Sequence, residues 1–376
     1  MIVLLLIFLI LLIHYGYFLL KILIGLRKLS PSVMNGNSHH FISVIIPFRN
    51  ESENILKSLR SIEGLNYPEE KFEVIYVDDN STDDSFELAE SGKTKSNTSV
   101  LKLPFEAAGR GNKKYAIQYG IDNSKGDIIV TTDSDCIHHK NWLQNIIRCF
   151  DSRTAFVAGP VAFTRKTGLF SELQELEFEG LILAGAGLIG AGSPVICNGA
   201  NIAYRKEVFK EVEGLNDNLN LSSGDDEFLM QQISSQTDYL VKFCAEREAV
   251  VLTGSNTNLG DFFSQRKRWA SKSLFYKDRG LIIQLVLIFL FYSGLFVQTF
   301  LILAGHYEFL ITLVFSLVIK ILPEYLIIKK GEQLFFSRKK NSVFVITEIL
   351  QVPYIIITAF AGLFGSFTWK GRNIKR

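Results

Sequence analysis

Asp127-Ile-Ile-Val-Thr-Thr-Asp-Ser-Asp135 runs an apolar, β-branched stretch straight into two carboxylates. A short run of that composition reads as a strand buried on both faces, as in a parallel sheet. At i and i+2 along an extended chain, Asp133 and Asp135 point the same way. Two carboxylates on one face at a strand end suit a hard cation that takes oxygen ligands. An ordinary polar turn would carry the same pair. The neighbouring segments therefore have to decide.

Toward the N-terminus the pattern repeats. Phe41-Ile-Ser-Val-Ile-Ile-Pro47 and Phe72-Glu-Val-Ile-Tyr-Val77 are similar strands. Between them Ile55, Leu56, Leu59 and Ile62 recur at helical spacing, with Asn50 or Ser52 able to cap. A short helix at 84–91, a strand at 100–103 and a helix at 112–122 continue the alternation. Strands alternating with helices predict an α/β fold with a mainly parallel sheet. In such sheets ligands bind outside the carboxyl ends of the strands. Asp78 and Asp79 end one strand and Asp133 and Asp135 another, so both clusters face one crevice. Asp78-Asp-Asn-Ser-Thr-Asp83 reads as a polar turn able to cradle a base and ribose. Lys113 opens a helix after Gly109-Arg-Gly-Asn112, and a helix N-terminus with basic side chains favours phosphate. The segment is not a dinucleotide fingerprint, because the third glycine is missing. Lys114 reads equally well as a solvated surface charge.

Toward the C-terminus, Gly224-Asp225-Asp226-Glu227 precedes an apolar helical stretch. Helix capping accounts for it; so does a general base within reach of an acceptor hydroxyl. Gln265-Arg-Lys-Arg-Trp269 stands just before an apolar span, where a basic aromatic flank is ordinary.

Hydrophobic residues make up 48% of the 376, and the excess sits at the two ends. Residues 2–26 are long and apolar enough to span about 30 Å of hydrocarbon. The basic pair Arg27 and Lys28 follows that run, which fits an uncleaved anchor better than a signal peptide. Further apolar stretches lie at 281–303, 309–328 and 343–366. Basic residues flanking them place the central domain on the cytoplasmic side. The last stretch conflicts with this, since Lys329, Lys330 and Arg338 precede it and Lys370, Arg372, Lys375 and Arg376 follow it. Either the tail breaks the rule or one segment lies in the interface, and the span around Lys320, Pro323 and Glu324 is the weakest. Residues 180–197 are uncharged but glycine-rich, and a crossing there would separate the acidic clusters. They read as a buried or membrane-surface segment beside the site. The expected division is an anchor at 1–28, a catalytic domain at 38–278, membrane or interfacial helices at 279–369 and a basic tail at 370–376.

Forty Lys and Arg against thirty-eight Asp and Glu leave a net charge of +2, which argues against a nucleic-acid partner. Cys136, Cys149, Cys197 and Cys244 form no CxxC pair, and Cys136 with His138 and His139 makes a poor zinc site.

Taken in order, these motifs resemble the membrane-bound family 2 glycosyltransferases. The likeness rests on Ser43-Val-Ile-Ile-Pro-Phe-Arg-Asn-Glu51, Val77-Asp-Asp-Asn-Ser-Thr-Asp83, the Lys113 helix and Asp133-Ser-Asp135. It continues through Asn198-Gly-Ala-Asn201, Gly224-Asp-Asp226, Gln265-Arg-Lys-Arg-Trp269 and Trp369-Lys-Gly-Arg372. Asn112 stands where the family often has Gly, and Ser134 where it often has Ala. The resemblance implies a GT-A nucleotide-sugar-binding domain, flanked by N- and C-terminal transmembrane helices, and an inverting transfer. By that likeness Pro47, Arg49, Glu51, Asp78, Asp79 and Lys113 surround the nucleotide of a UDP- or GDP-sugar. Asp133 and Asp135 hold Mg²⁺ or Mn²⁺ on its diphosphate. Asp226, beside Asp225, is the base, and Gln265, Arg268 and Trp269 lie near the diphosphate and acceptor. The expected acceptor is a lipid or glycan at the cytoplasmic face of the plasma or inner membrane.

Three alternatives compete. A processive polysaccharide synthase shares the Gln265–Trp269 motif but ordinarily needs more spans. A non-catalytic scaffold or nucleotide-sugar sensor has no need of all these carboxylates. A transporter is set aside because no span shows a convincing inward pair of ionisable groups.

Overall fold

β1 (Ile42–Phe48) is buried at every position, as an apolar run between two sheet neighbours must be when helices cover both faces. It pairs in parallel with β2 (Phe72–Asp78) and β4 (Ile128–Thr131), and β2 pairs in parallel with β3 (Thr98–Lys102). The connections are α2 (Ile55–Glu63), α3 (Ser85–Gly92) and α4 (Lys113–Asp122). α2 starts at Ile55, with Asn54 rather than Asn50 or Ser52 at its cap position.

This computed structural model describes residues 1–30, 40–104, 113–215, 224–336, 341–364, 367–369 and 372–374. The glycine-rich segment 109–112, the basic connection 338–340 and Lys370, Lys375 and Arg376 lie outside the described residues.

After β4 come α5 (Trp142–Ile147), β5 (Thr154–Ala158), β6 (Val161–Phe163) and α6 (Leu169–Gly190). β7 (Ile202–Arg205), α7 (Lys206–Glu211), α8 (Glu227–Gln236), β8 (Leu240–Phe243), β9 (Val251–Thr253) and α9 (Leu259–Ser271) complete the domain. The main sheet runs β3-β2-β1-β4-β7-β5-β8, with β7 antiparallel to both neighbours and the remaining pairs parallel. The expected mainly parallel α/β core is present. Strand order reverses between β1 and β4, and that switch point is where a crevice opens.

α1 (Ile2–Lys28), α10 (Arg279–Leu303), α11 (Leu310–Leu334) and α12 (Asn341–Phe364) contain four segments long and apolar enough to cross a membrane. The glycine-rich stretch after residue 180 is not among them. As far as Gly190 it forms the second half of α6, which lies tight against α1: a Cβ on Gly25 would fall 1.7 Å from the Gly187 carbonyl oxygen. Only glycine permits that backbone approach. α12 packs on α11 near its start and on the catalytic domain further along. Phe344 packs on Tyr325 of α11, Tyr354 donates to Glu177 of α6 at 2.9 Å, and Gly362 lies against Ala270 and Ser271 of α9. The premise used against a transporter is corrected here. Lys320 and Glu324 of α11 face Glu348 of α12, because helix packing turns all three inward.

Candidate active site

The loops after β1 and β2 are clamped to each other. Arg49 donates through Nη1 to the carbonyls of Asp79 and Asn80, both at 2.6 Å. Asn50 and Asn80 adopt left-handed φ values of 51° and 56°, which short polar side chains tolerate. Asn50 accepts from the Thr82 amide at 2.8 Å, and the Glu51 amide donates to Ser85 Oγ at 2.7 Å. Pro47, Arg49, Glu51 and Asp79 thereby line one cavity. Asp78 does not. Its side chain is fully buried and accepts from the Ser81 amide at 2.9 Å, holding the turn that presents Asp79.

Asp133 and Asp135 line the same cavity, by a different route from the one their spacing suggested. β4 ends at Thr131, and the Cys136 amide donates to the Asp133 carbonyl at 3.2 Å, closing a turn. The alternation of an extended chain therefore does not apply, and it is a turn that presents both side chains to the cavity. Asp135 Oδ2 accepts from Thr253 Oγ1 at 3.1 Å, which ties the turn to β9.

Lys113, the first residue of α4, joins the clusters. Its Nζ is 2.6 Å from Asp133 Oδ1 and 3.3 Å from Asp225 Oδ2. Burial opposes its charge, but Asp133 and Asp225 outweigh that and raise its pKa above the usual lysine range. Lys114 is no surface charge. It is 1% exposed, its ammonium lies 5.5 Å from the Phe228 ring centroid, and burial pushes it down to about 8 against the pull of Asp225 and Asp226.

Asp226 caps α8, accepting from the Glu227 amide at 2.8 Å through Oδ1 and from the Gly199 amide at 2.7 Å through Oδ2. Capping therefore accounts for Asp226, and Asp225 and Asp226 also line the cavity. Burial raises the Asp225 carboxyl, but Lys113 and Lys114 reverse this and hold it below the usual range. Glu227 pairs with Lys272 at 2.9 Å and accepts from Tyr276 at 2.7 Å.

Gln265, Arg268 and Trp269 reach the cavity from α9. Burial depresses the Arg268 guanidinium, with Asp225 and Asp133 opposing. What orients this helix is a contact between residues far apart in the chain. Arg266, 3% exposed, forms a two-pronged pair with Glu177 and lies 4.3 Å from the Trp269 ring centroid. Glu177 is one of four glutamates on the first half of α6, with Glu172, Glu175 and Glu179, and no local pattern singles it out.

Among the described residues no group of three or more His, Cys, Asp or Glu side chains is placed to hold a metal. A pair is enough for Mg²⁺ or Mn²⁺ on a diphosphate, because such ions take one or two protein carboxylates and complete their shell with phosphate and water. Asp133 and Asp135 fit that demand. His138 belongs to the core. Its ring nitrogens meet Thr132 Oγ1 at 2.8 Å and Ser61 Oγ at 3.1 Å, and burial pushes it down to about 3.

The cavity has a volume of about 1020 Å³ and combines this charged floor with a largely apolar wall from α6, α10 and α12. Residues 43–213, which supply most of the floor, match the description Glycosyl transferase family 2.

The chain carries a domain of glycosyl transferase family 2.

This chain is 35% identical over 130 residues to Glycosyltransferase AglE of Haloferax volcanii, across 34% of the chain and 41% of that protein. It is 27% identical over 208 residues to the hyaluronan synthase of Streptococcus pyogenes, across 52% of the chain and 48% of the synthase. The matches thus span less than half the length of these relatives. Among solved structures it is similar to the mannosyltransferase PcManGT from Pyrobaculum calidifontis, solved in complex with GDP-Man and Mn²⁺. The TM-score is 0.61 at 17% identity, over 96% of this chain and 99% of the other. That likeness shows a shared fold, a GT-A-like core, and this chain has four helices long and apolar enough to cross a membrane.

Proposed function

We propose that the chain is an inverting glycosyltransferase that moves a hexose from a nucleoside-diphosphate sugar to a membrane-associated, lipid-linked acceptor. The observation that carries this reading is Lys113 bridging Asp133 and Asp225. It gathers the strand-end carboxylates, a helix N-terminus and the Gly224-Asp-Asp226 motif around one space.

In this reading Asp79, Glu51 and the clamped loops hold the nucleoside, and Lys113 and Arg268 face the diphosphate. Mg²⁺ or Mn²⁺ on Asp133 and Asp135 would offset the charge that develops as the sugar–phosphate bond breaks. Asp226 takes the acceptor proton. Its oxygens already accept backbone N–H groups, which fixes the carboxylate while leaving lone pairs for a hydroxyl. Attack from the base side, opposite the leaving diphosphate, inverts the anomeric centre. The apolar wall supports a lipid-linked acceptor, and Arg27 and Lys28 support a cytoplasmic catalytic face.

Purified protein in detergent, screened by thermal shift against UDP- and GDP-sugars with Mn²⁺ and with EDTA, tests the reading. Stabilisation by one nucleotide class that EDTA removes is expected; no response to any donor would sink it. Mass spectrometry of the product separates single transfer from the polymer of a processive synthase.

A further inference from the structure

Six polar side chains converge inside the helical layer: Tyr15 of α1, Tyr292 of α10, Lys320 and Glu324 of α11, Glu348 and Gln351 of α12. Tyr15 donates to Glu324 Oε1 at 2.6 Å, and its hydroxyl lies 2.9 Å from that of Tyr292. Lys320 is 3.1 Å from Glu324 Oε2, pairs with Glu348, and donates to Gln351 Oε1 at 2.7 Å. Tyr15 and Tyr292 each stand thirteen residues from the helix end nearest the catalytic domain, roughly 20 Å at 1.5 Å per residue. Ionisable groups at such depth in a bilayer are costly and as a rule mark a path or a ligand. Clamping helices together needs no such excess. Two carboxylates face one ammonium, so the fully ionised cluster keeps a net negative charge.

The cavity that starts at Asp133, Lys113 and Asp225 extends to this cluster. Five of the six side chains line it, while Lys320, 1% exposed, lies behind them. The space therefore has two polar ends joined by an apolar wall. A hydrocarbon tail filling the deep end would strip the carboxylates of solvent without replacing its hydrogen bonds. A phosphate there would meet like charge at low dielectric. A hydrogen-bond donor without negative charge satisfies both constraints.

We propose that the deep end is an acceptor subsite for a donor-rich, non-anionic group, the chemistry of sugar hydroxyls or of an amine, and that it rejects phosphate. Calling its occupant an acceptor rests on the transferase reading above; the chemistry of the subsite does not.

Thr347 lines the cavity beside Glu348. Thr347→Cys places a thiol at the deep end of the full chain in lipid nanodiscs. Cys197→Ser removes the native cavity-lining thiol, and Cys136, Cys149 and Cys244 are buried. The introduced thiol is treated with cationic (ethyltrimethylammonium) and anionic (ethylsulfonate) methanethiosulfonates, with rates normalised to a free thiol. The cationic reagent should be favoured by at least about tenfold, and Glu348→Gln should reduce that preference. Sub-micellar octyl β-glucoside or octylamine should slow modification, and octyl phosphate should not. Whichever of the first two protects identifies hydroxyl or amine as the recognised group. The proposal is overturned by an unreactive thiol, by equal rates for the two reagents, by protection with octyl phosphate, or by protection with neither glucoside nor amine. No readout requires sugar transfer, so a failure of the transferase reading would show separately, in the donor screen.

Discussion

Lys113 Nζ lies 2.6 Å from Asp133 Oδ1, so the ammonium occupies the carboxylate assigned to the donor's cation. A cation at Asp133 would therefore compete with this lysine until a diphosphate engaged both. A unit charge this close is worth a few kcal/mol in a partly buried site, so Lys113→Met should tighten donor-free Mn²⁺ binding by at least about tenfold. It should also weaken donor binding. Electron paramagnetic resonance titration of Mn²⁺ and calorimetry of the donor check the two halves.

Asp133→Ala combined with Asp135→Ala should abolish the metal-dependent part of donor binding. Wild-type protein in EDTA should behave like this double variant in calorimetry. Equal donor affinity with and without EDTA in the wild type would contradict the assignment.

Asp226→Asn should keep donor affinity and lose about 10²- to 10⁴-fold in turnover, the usual worth of a positioned base. Asp225→Asn removes a partner of Lys113 and should instead raise the donor KM. Steady-state kinetics on both variants separate the roles, and near-normal turnover in Asp226→Asn would refute the base assignment.

Lys114 has a folded-state pKa of about 8, against 10.5 in a free chain. Between these values the unfolded state binds more protons, so stability should rise with pH across that window. Burying the charged form below pH 8 carries a penalty on the order of 3 kcal/mol. Lys114→Met should flatten the rise of the thermal midpoint from pH 8 to 10. A parallel rise in wild type and variant would assign the slope to other groups.

Glu177→Leu or Arg266→Leu alone strands a buried charge and should cost about 3–5 kcal/mol. The double Leu variant should recover much of that stability. Turnover should stay low in all three, because Arg266 stacks on Trp269 of the cavity wall. Thermal unfolding alongside kinetics distinguishes the two effects.

The strands were legible because apolar, β-branched runs such as Ile42–Phe48 have few places to go except a sheet covered on both faces. Asp79, Asp133 and Asp135 were legible because parallel sheets expose chemistry at their carboxyl ends. Asp78 was misjudged beside them. Strand position cannot say which of two adjacent aspartates turns back to hold its own loop.

Residue order alone therefore determined the α/β core, the apolar helices and the carboxylates at the strand ends that line the cavity. These follow from local periodicity and composition, which act over a few residues. Only the tertiary structure decided that Arg266 pairs with Glu177 across 89 residues and Lys320 with Glu348 across 28. Such pairs form where packed helices bring charges together away from water, and no local pattern encodes which ones will meet.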